Sequence, residues 1–384
     1  MIYLDNAATT PLKKEVLDKM MPYLTENYFN ASSFYNVASK TKVEIDNARE
    51  QVAKLLNAEM DEIYFTSGGT ESDNWALKGF AMANKHKGKH IITSQIEHHA
   101  ILHSCEYLET LGFEITRLKP DEDGIISPES LKEAMREDTI IVSIMFANNE
   151  IGTIEPIKEL AEVANEKGII FHTDAVQAVG HVPIDVKDLG VNMLSLSGHK
   201  FGGPKGIGAL YIKRGTLLHN FMHGGAQERA RRAGTENVAG VIGLAEALKI
   251  SVGNIEKESK RLKKLQDKLI KIIEKEIPNA KLNGHREKRL ANNINFSFEF
   301  IEGEGILIFL DLAGICASSG SACTSGSLDP SHVLLSIGLP HELAHGSLRL
   351  SLGEDTTEED VDYTVDKLKE IVERLRQMSP LYEG

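Results

Sequence analysis

The chain has 384 residues, of which 41% are hydrophobic and 26% charged, with a formal net charge of −13. At roughly 100–200 residues per domain this is the size and composition of a soluble globular protein of two domains. The acidic balance argues against a general nucleic-acid or anionic-membrane binder, although Arg229, Arg231 and Arg232 form a local basic cluster.

In chain order, the first residues show no basic stretch followed by an apolar run, and no uninterrupted run of about 18 apolar residues occurs anywhere. Neither a signal peptide nor a transmembrane helix is therefore expected, and the cytoplasm is the expected compartment. Residues 63–65 read as a short strand that feeds the loop 66–72, and a helix is predicted over 73–83. A strand at 91–94 precedes a helix over 98–111, and the apolar run 140–145 has strand length. A helix over 157–167 then leads to strands at 169–172, 193–196 and 207–212. Such alternation of apolar strands with helices predicts an α/β domain around a mostly parallel, buried sheet. Beyond about residue 250 the texture changes. A Lys- and Glu-rich helix is predicted over 254–275, a period-two strand over 292–298 and a closing helix over 358–378, as in a smaller α+β domain.

Several segments carry chemistry-bearing residues. Lys200 lies between an apolar strand and a glycine-rich turn, where ligands bind in open α/β sheets. It reads either as a Schiff-base lysine or as a surface lysine in a turn. The run Thr66-Ser67-Gly68-Gly69-Thr70-Glu71-Ser72 opens a helix and reads either as a phosphate cradle or as a plain cap. It matches neither the Walker pattern nor GxGxxG. Asp174 follows an apolar strand and is either a helix N-cap or the partner of a protonated ring nitrogen. His98 and His99 sit together at another strand end, where a ring could stack on a cofactor or move protons.

Residues 317–327 are nearly all small and hold one thiol, Cys323, which makes it an accessible nucleophile candidate. Cys316 and Cys105 read as buried structural cysteines. Three cysteines in this length make no disulfide framework, and without a CxxC spacing no metal site is expected. Arg349, alone in the apolar run 346–352, calls for an anion, either a bound carboxylate or a structural ion pair.

Together these segments resemble the class-V aminotransferase family of pyridoxal-phosphate (PLP) enzymes, specifically the NifS/IscS-type cysteine desulfurases. The matching stretches run in family order over nearly the whole chain: 3–11, 66–74, 97–98, 148–152, 174–177, 197–206, 223–225, 232–238, 318–325 and Arg349 with its flanks. The segment Ser318-Ser319-Gly320-Ser321-Ala322-Cys323-Thr324-Ser325 is similar to the group with a long catalytic loop, and 234–238 leans toward the NifS type. One departure stands at 30–35. The chain reads Asn30-Ala31-Ser32-Ser33-Phe34-Tyr35 where the family commonly has Asn-Pro-Ser-Ser-x-His.

The resemblance implies PLP fold type I. Its large domain, with a mostly parallel seven-stranded sheet, would span 14–255, and a small α+β domain would comprise 1–13 and 256–384. It implies pyridoxal 5′-phosphate as cofactor, with Lys200 as its Schiff-base lysine, Asp174 on the pyridine nitrogen and Gln177 on the ring hydroxyl oxygen. Asn149 would lie near that oxygen and the substrate, and His98 would stack on the ring and serve proton transfer. Gly69, Thr70, Ser197 and His199 would hold the phosphate, with Thr235 completing that site from the partner of a homodimer. Arg349 would bind the substrate carboxylate. The implied reaction converts L-cysteine to L-alanine and leaves the sulfur as a persulfide on Cys323. That sulfur would pass to an acceptor or iron–sulfur scaffold protein, for cluster assembly or thiolation. A selenocysteine lyase, an aminotransferase on the same fold, or a protein that chiefly docks such a scaffold are the alternatives.

Overall fold

The computed structural model describes residues 1–319, 330–380 and 382. After the two-residue β1 (Ile2–Tyr3), the chain builds a seven-stranded sheet. Its strands are β2 (Ile63–Thr66), β3 (His90–Ser94), β4 (Glu114–Leu118), β5 (Thr139–Ser143), β6 (Ile170–Asp174), β7 (Met193–Ser197) and β8 (Gly208–Ile212). The spatial order is β2-β8-β7-β6-β5-β3-β4. Strands β3 to β7 run parallel, whereas β8 is antiparallel to both β2 and β7. Every residue of β2, β3, β5, β7 and β8 is buried, the signature of a sheet covered by helices on both faces.

The order reverses beside β3. The chain steps outward from β3 to β4, then crosses back to β5 and proceeds toward β7. In an open α/β sheet such a switch opens a crevice at the carboxyl ends of the strands. His98 follows β3, Asn149 follows β5, Asp174 ends β6 and Ser197 ends β7, so all four lie at that edge.

A second core forms around the antiparallel sheet β12-β10-β9, made of β9 (Ala280–Leu282), β10 (Asn293–Phe298) and β12 (Ser347–Ser351). Phe296, Phe298, Leu348 and Leu350 pack there against helices Gly303–Leu312 and Glu358–Met378, with Leu4 from the N-terminus. The short β11 (Ile315–Cys316) pairs in parallel with β1.

Three expectations are corrected. The long helix runs over Val238–Glu276 rather than from residue 254, capped by Asn237, whose side chain accepts from Gly240 N at 3.0 Å. Its first part is apolar because it is core, packing on helices Lys14–Thr25 and Asn36–Leu56. One stretch of this helix is apolar enough by composition to cross a membrane, and much of that stretch is buried inside the protein. Next, the helix expected from residue 73 begins four residues earlier, at Gly69–Asn74, passes through π geometry over Trp75–Gly79 and continues as Phe80–Asn84. Last, Cys316 is only half-buried, while Cys105 is buried as expected and its thiol is pushed up to about 12 by that burial. The three arginines of the basic cluster are engaged within the chain: Arg229 and Arg231 lie over the Tyr64 ring and Arg232 pairs with Glu71.

Candidate active site

The carboxyl ends of β5, β6 and β7 and the helix start at Gly69 enclose a cavity of about 180 Å³. Lys200, His199, Ser197, Asp174, Gln177, His98, Asn149, Gly69 and Thr70 all line it. Asp73, Met145 and Val176 complete the wall. Of the residues expected to hold the cofactor, only Thr235 lies elsewhere, and it is exposed.

The local folding explains each placement. The Gly68 N-cap offers no side chain to the helix that starts at Gly69, so a phosphate can take the role of the cap. Gly69 leaves no free room for a side chain: a Cβ there would stand 2.5 Å from Val176 Cγ2, so Val176 would have to shift. The glycine therefore lets the helix end close against the segment after β6. Ser197 is the last residue of β7, and a single 3₁₀ turn, Gly198–Lys200, carries His199 and Lys200.

Lys200 Nζ donates to Ala7 O at 2.6 Å and Ala8 O at 2.9 Å. Gln177 Nε2 donates to Ala7 O as well, at 3.0 Å. The N-terminal segment is thus folded over the lysine, and Thr9 and Thr10 tie it to His199. Although the N-terminal stretch belongs to the sequence resemblance, its contact with Lys200 had no signal in residue patterns.

His98 is the N-cap of helix His99–Thr110, and its Nδ1 accepts from Ala100 N at 3.1 Å. Burial, reinforced by the Lys200 ammonium, pushes His98 down to about 4. A neutral ring whose Nδ1 is an acceptor carries its proton on Nε2. Burial pushes Asp174 up to about 6, while a hydrogen bond from Val176 N and the charge of Lys200 pull it back. That 2.9 Å bond from Val176 N closes a turn, not a helix, so the helix-cap alternative for Asp174 does not hold.

Arg349, 3% exposed, lies outside the cavity wall. Its Nη1 donates to Asn149 O at 2.9 Å and its Nη2 to Asp5 Oδ1 at 2.8 Å, the ion-pair alternative of the sequence reading. Its Nε is buried without a partner. Ser318 bridges to Arg349 through paired backbone hydrogen bonds. Beyond the undescribed stretch, Ser331 caps helix His332–Ser336 and donates to Glu150 Oε2. Cys323 lies outside the described residues, between these two anchors.

The residues suit pyridoxal 5′-phosphate. A lysine amine, a buried aspartate for a ring nitrogen, and hydroxyls at an uncapped helix start are the donor set that this cofactor requires. The glycine that lets Val176 approach makes the cradle. Asp73 and Glu97 were not singled out from sequence, because one read as the first residue of a helix and the other as a loop residue before His98.

The aminotransferase class-V model matches residues 2–364. Cysteine desulfurase IscS of Methanosarcina thermophila is 60% identical over 99% of this chain and 94% of its own. Cysteine desulfurase IscS of Clostridium botulinum is 59% identical over 100% and 97%. Among solved structures, a NifS-like protein superposes with a TM-score of 0.92 at 37% identity, covering 97% of this chain and all of the other. A structure described as SspA in complex with cysteine gives 0.82 at 38% identity, covering 92% and 99%. The seven-stranded sheet is therefore that of PLP fold type I, and the chain belongs to the class-V aminotransferases and, among them, to the cysteine desulfurases.

Proposed function

We propose that the protein takes sulfur from L-cysteine with pyridoxal 5′-phosphate held in the 180 Å³ cavity, leaving L-alanine and a persulfide on Cys323. The observation that carries this reading is the convergence of Lys200, Asp174 and His98 on that one cavity. Lys200 would hold the cofactor, with Asp174 as partner for its ring nitrogen and Gln177 for its ring oxygen. Thr70, the Gly69 backbone, Ser197 and His199 would hold the phosphate. Bound there, the cofactor supplies an electron sink that weakens the α C–H bond of the substrate.

The work of the chain itself follows from its side chains. The Lys200 amine takes the substrate α-proton and later returns one to the carbon skeleton. Neutral His98 presents a proton on Nε2 at the cavity, which suits it to proton transfer. Asn149 lines the cavity and its carbonyl holds Arg349, which would have to exchange Asp5 for a substrate carboxylate to bind one. The Cys323 thiolate attacks the substrate sulfur, and the Cβ–S bond breaks with its electron pair staying on carbon. L-cysteine and an enzyme thiol thus become L-alanine and an enzyme persulfide, with no external oxidant or reductant.

A homodimer is part of the proposal. Thr235 is exposed and outside the cavity, as a residue given to a partner's phosphate site would be. Large exposed apolar side chains, Tyr28, Phe34 and Tyr35 among them, support self-association. The division into 14–255 against 1–13 with 256–384 is supported by the cluster around Phe296, Phe298 and Leu4, which is apart from that of the large sheet, while Ile96 and Ile151 pack across the boundary with Val333 and Leu334. The sulfur acceptor is proposed to be a second protein, and the cytoplasm the compartment, where thiols stay reduced. Cys323→Ala should keep the yellow cofactor colour and lose alanine and sulfide release from cysteine. Unchanged alanine production in that variant would remove Cys323 from the reaction.

A further inference from the structure

Beneath Asp174 lies a second carboxylate that the reaction above does not use. Asp73 sits one turn into the helix that starts at Gly69, is 1% exposed, and lines the cofactor cavity. His172 and Asp174 are two apart on β6 and so share a face, and Ser195 is the register partner of Asp174 on β7. Asp73 Oδ1 lies 3.8 Å from His172 Nε2, and its carboxyl is within hydrogen-bonding reach of Ser195 and Asp174.

Among the described residues, the basic group within 4 Å of Asp73 is the His172 ring. His172 Nε2 is 3.8 Å from Asp73 Oδ1 but is already hydrogen-bonded to Ser195 Oγ at 3.0 Å, while Nδ1 meets Ser143 Oγ at 2.9 Å. Burial drives His172 down to about 3, so it stays neutral. Asp73 Oδ1 itself has no hydrogen-bond partner. Burial first, and then the neighbouring Asp174 carboxyl, drive Asp73 well above the usual carboxylate range against the pull of a hydrogen bond from Ser195. Asp174 faces Lys200 and keeps a backbone donor, which marks it as the member of the pair that ionises. Two adjacent buried carboxylates share one proton rather than both ionising.

We propose that Asp73 is a positioning residue that holds the shared proton and donates it as a hydrogen bond to Asp174, fixing Asp174 as the anion that faces the cofactor's ring nitrogen. This rests on the reading of Asp174 as that partner. It predicts that the residue at 73 must donate a hydrogen bond but need not carry charge.

Asp73→Asn keeps a donor of the same shape, and Asp73→Leu keeps the volume without one. Two quantities are read beside thermal unfolding: the pyridoxal phosphate concentration that half-loads the chain, and the pH midpoint of the bound cofactor's absorption band. The Asn variant should match the native protein within about threefold in loading and leave the midpoint in place. The Leu variant should load at least tenfold more weakly with a displaced midpoint. A folded Asn variant that loses tenfold in loading, or a Leu variant that loads like the native protein, overturns the proposal. Should the Leu variant fail to fold, the Asn result alone decides. A native protein that takes up no pyridoxal phosphate would instead overturn the functional reading itself.

Discussion

A buried ion pair well away from the cavity sets up one of its supporting segments. Arg49 and Glu228 are 3% and 8% exposed and meet through two 2.7 Å hydrogen bonds. Phe65 N also donates to Glu228, and Arg49 donates to Ile63 O, so the pair ties helix Asn36–Leu56 to β2. Glu228, Arg229 and Ala230 all have positive φ, a costly run for residues with a Cβ. This strained turn leads to Thr235 and is held down by Glu228. Removing one member of a buried pair leaves the other charge uncompensated, at about 3–5 kcal/mol. Arg49→Ala should lose that much stability in denaturant unfolding, whereas the exposed pair Lys54–Glu50 should contribute well under 1 kcal/mol by the same measure.

At the scale of elements, what sequence reveals depends on how an element is buried. The interior strands were legible because both of their faces are apolar, and β5 shows this in its unbroken run. The edge strand β4, Glu-Ile-Thr-Arg-Leu, was not, since its half-exposed residues break the apolar signal. The start of the helix Val238–Glu276 was missed because its buried first half lacks the charged face that made its second half readable. Lys200, Asp174 and His98 were legible as strand-end residues, and family resemblance then gave them roles. Asp73 was invisible because its importance comes from a neighbour more than a hundred residues away on β6. The closeness of Gly69 to Val176 is a similar long-range fit. Gly69→Ala should force Val176 aside at a cost of about 1–3 kcal/mol and lower cofactor occupancy. Adding Val176→Ala should restore much of that occupancy, and no recovery in absorbance-measured loading would show that the glycine acts through something else.

For the whole molecule, the cavity is lined by residues of the large sheet and its helices, and the N-terminal segment holds its Lys200. The segment around Ala7 and Ala8 leaves β1, which pairs with β11, and closes over Lys200. Arg349 on β12 reaches both Asp5 and the Asn149 carbonyl. Arg349 thus links the second core to the N-terminal segment and to the loop after β5. The central claim, that Lys200 carries pyridoxal phosphate for desulfuration of cysteine, is tested most directly by the visible absorption spectrum of the purified protein before and after L-cysteine. The account predicts a yellow protein, bleached by borohydride at Lys200, whose band changes on adding L-cysteine as alanine appears. A protein that takes up no pyridoxal phosphate, or whose loaded band is indifferent to L-cysteine, would contradict it.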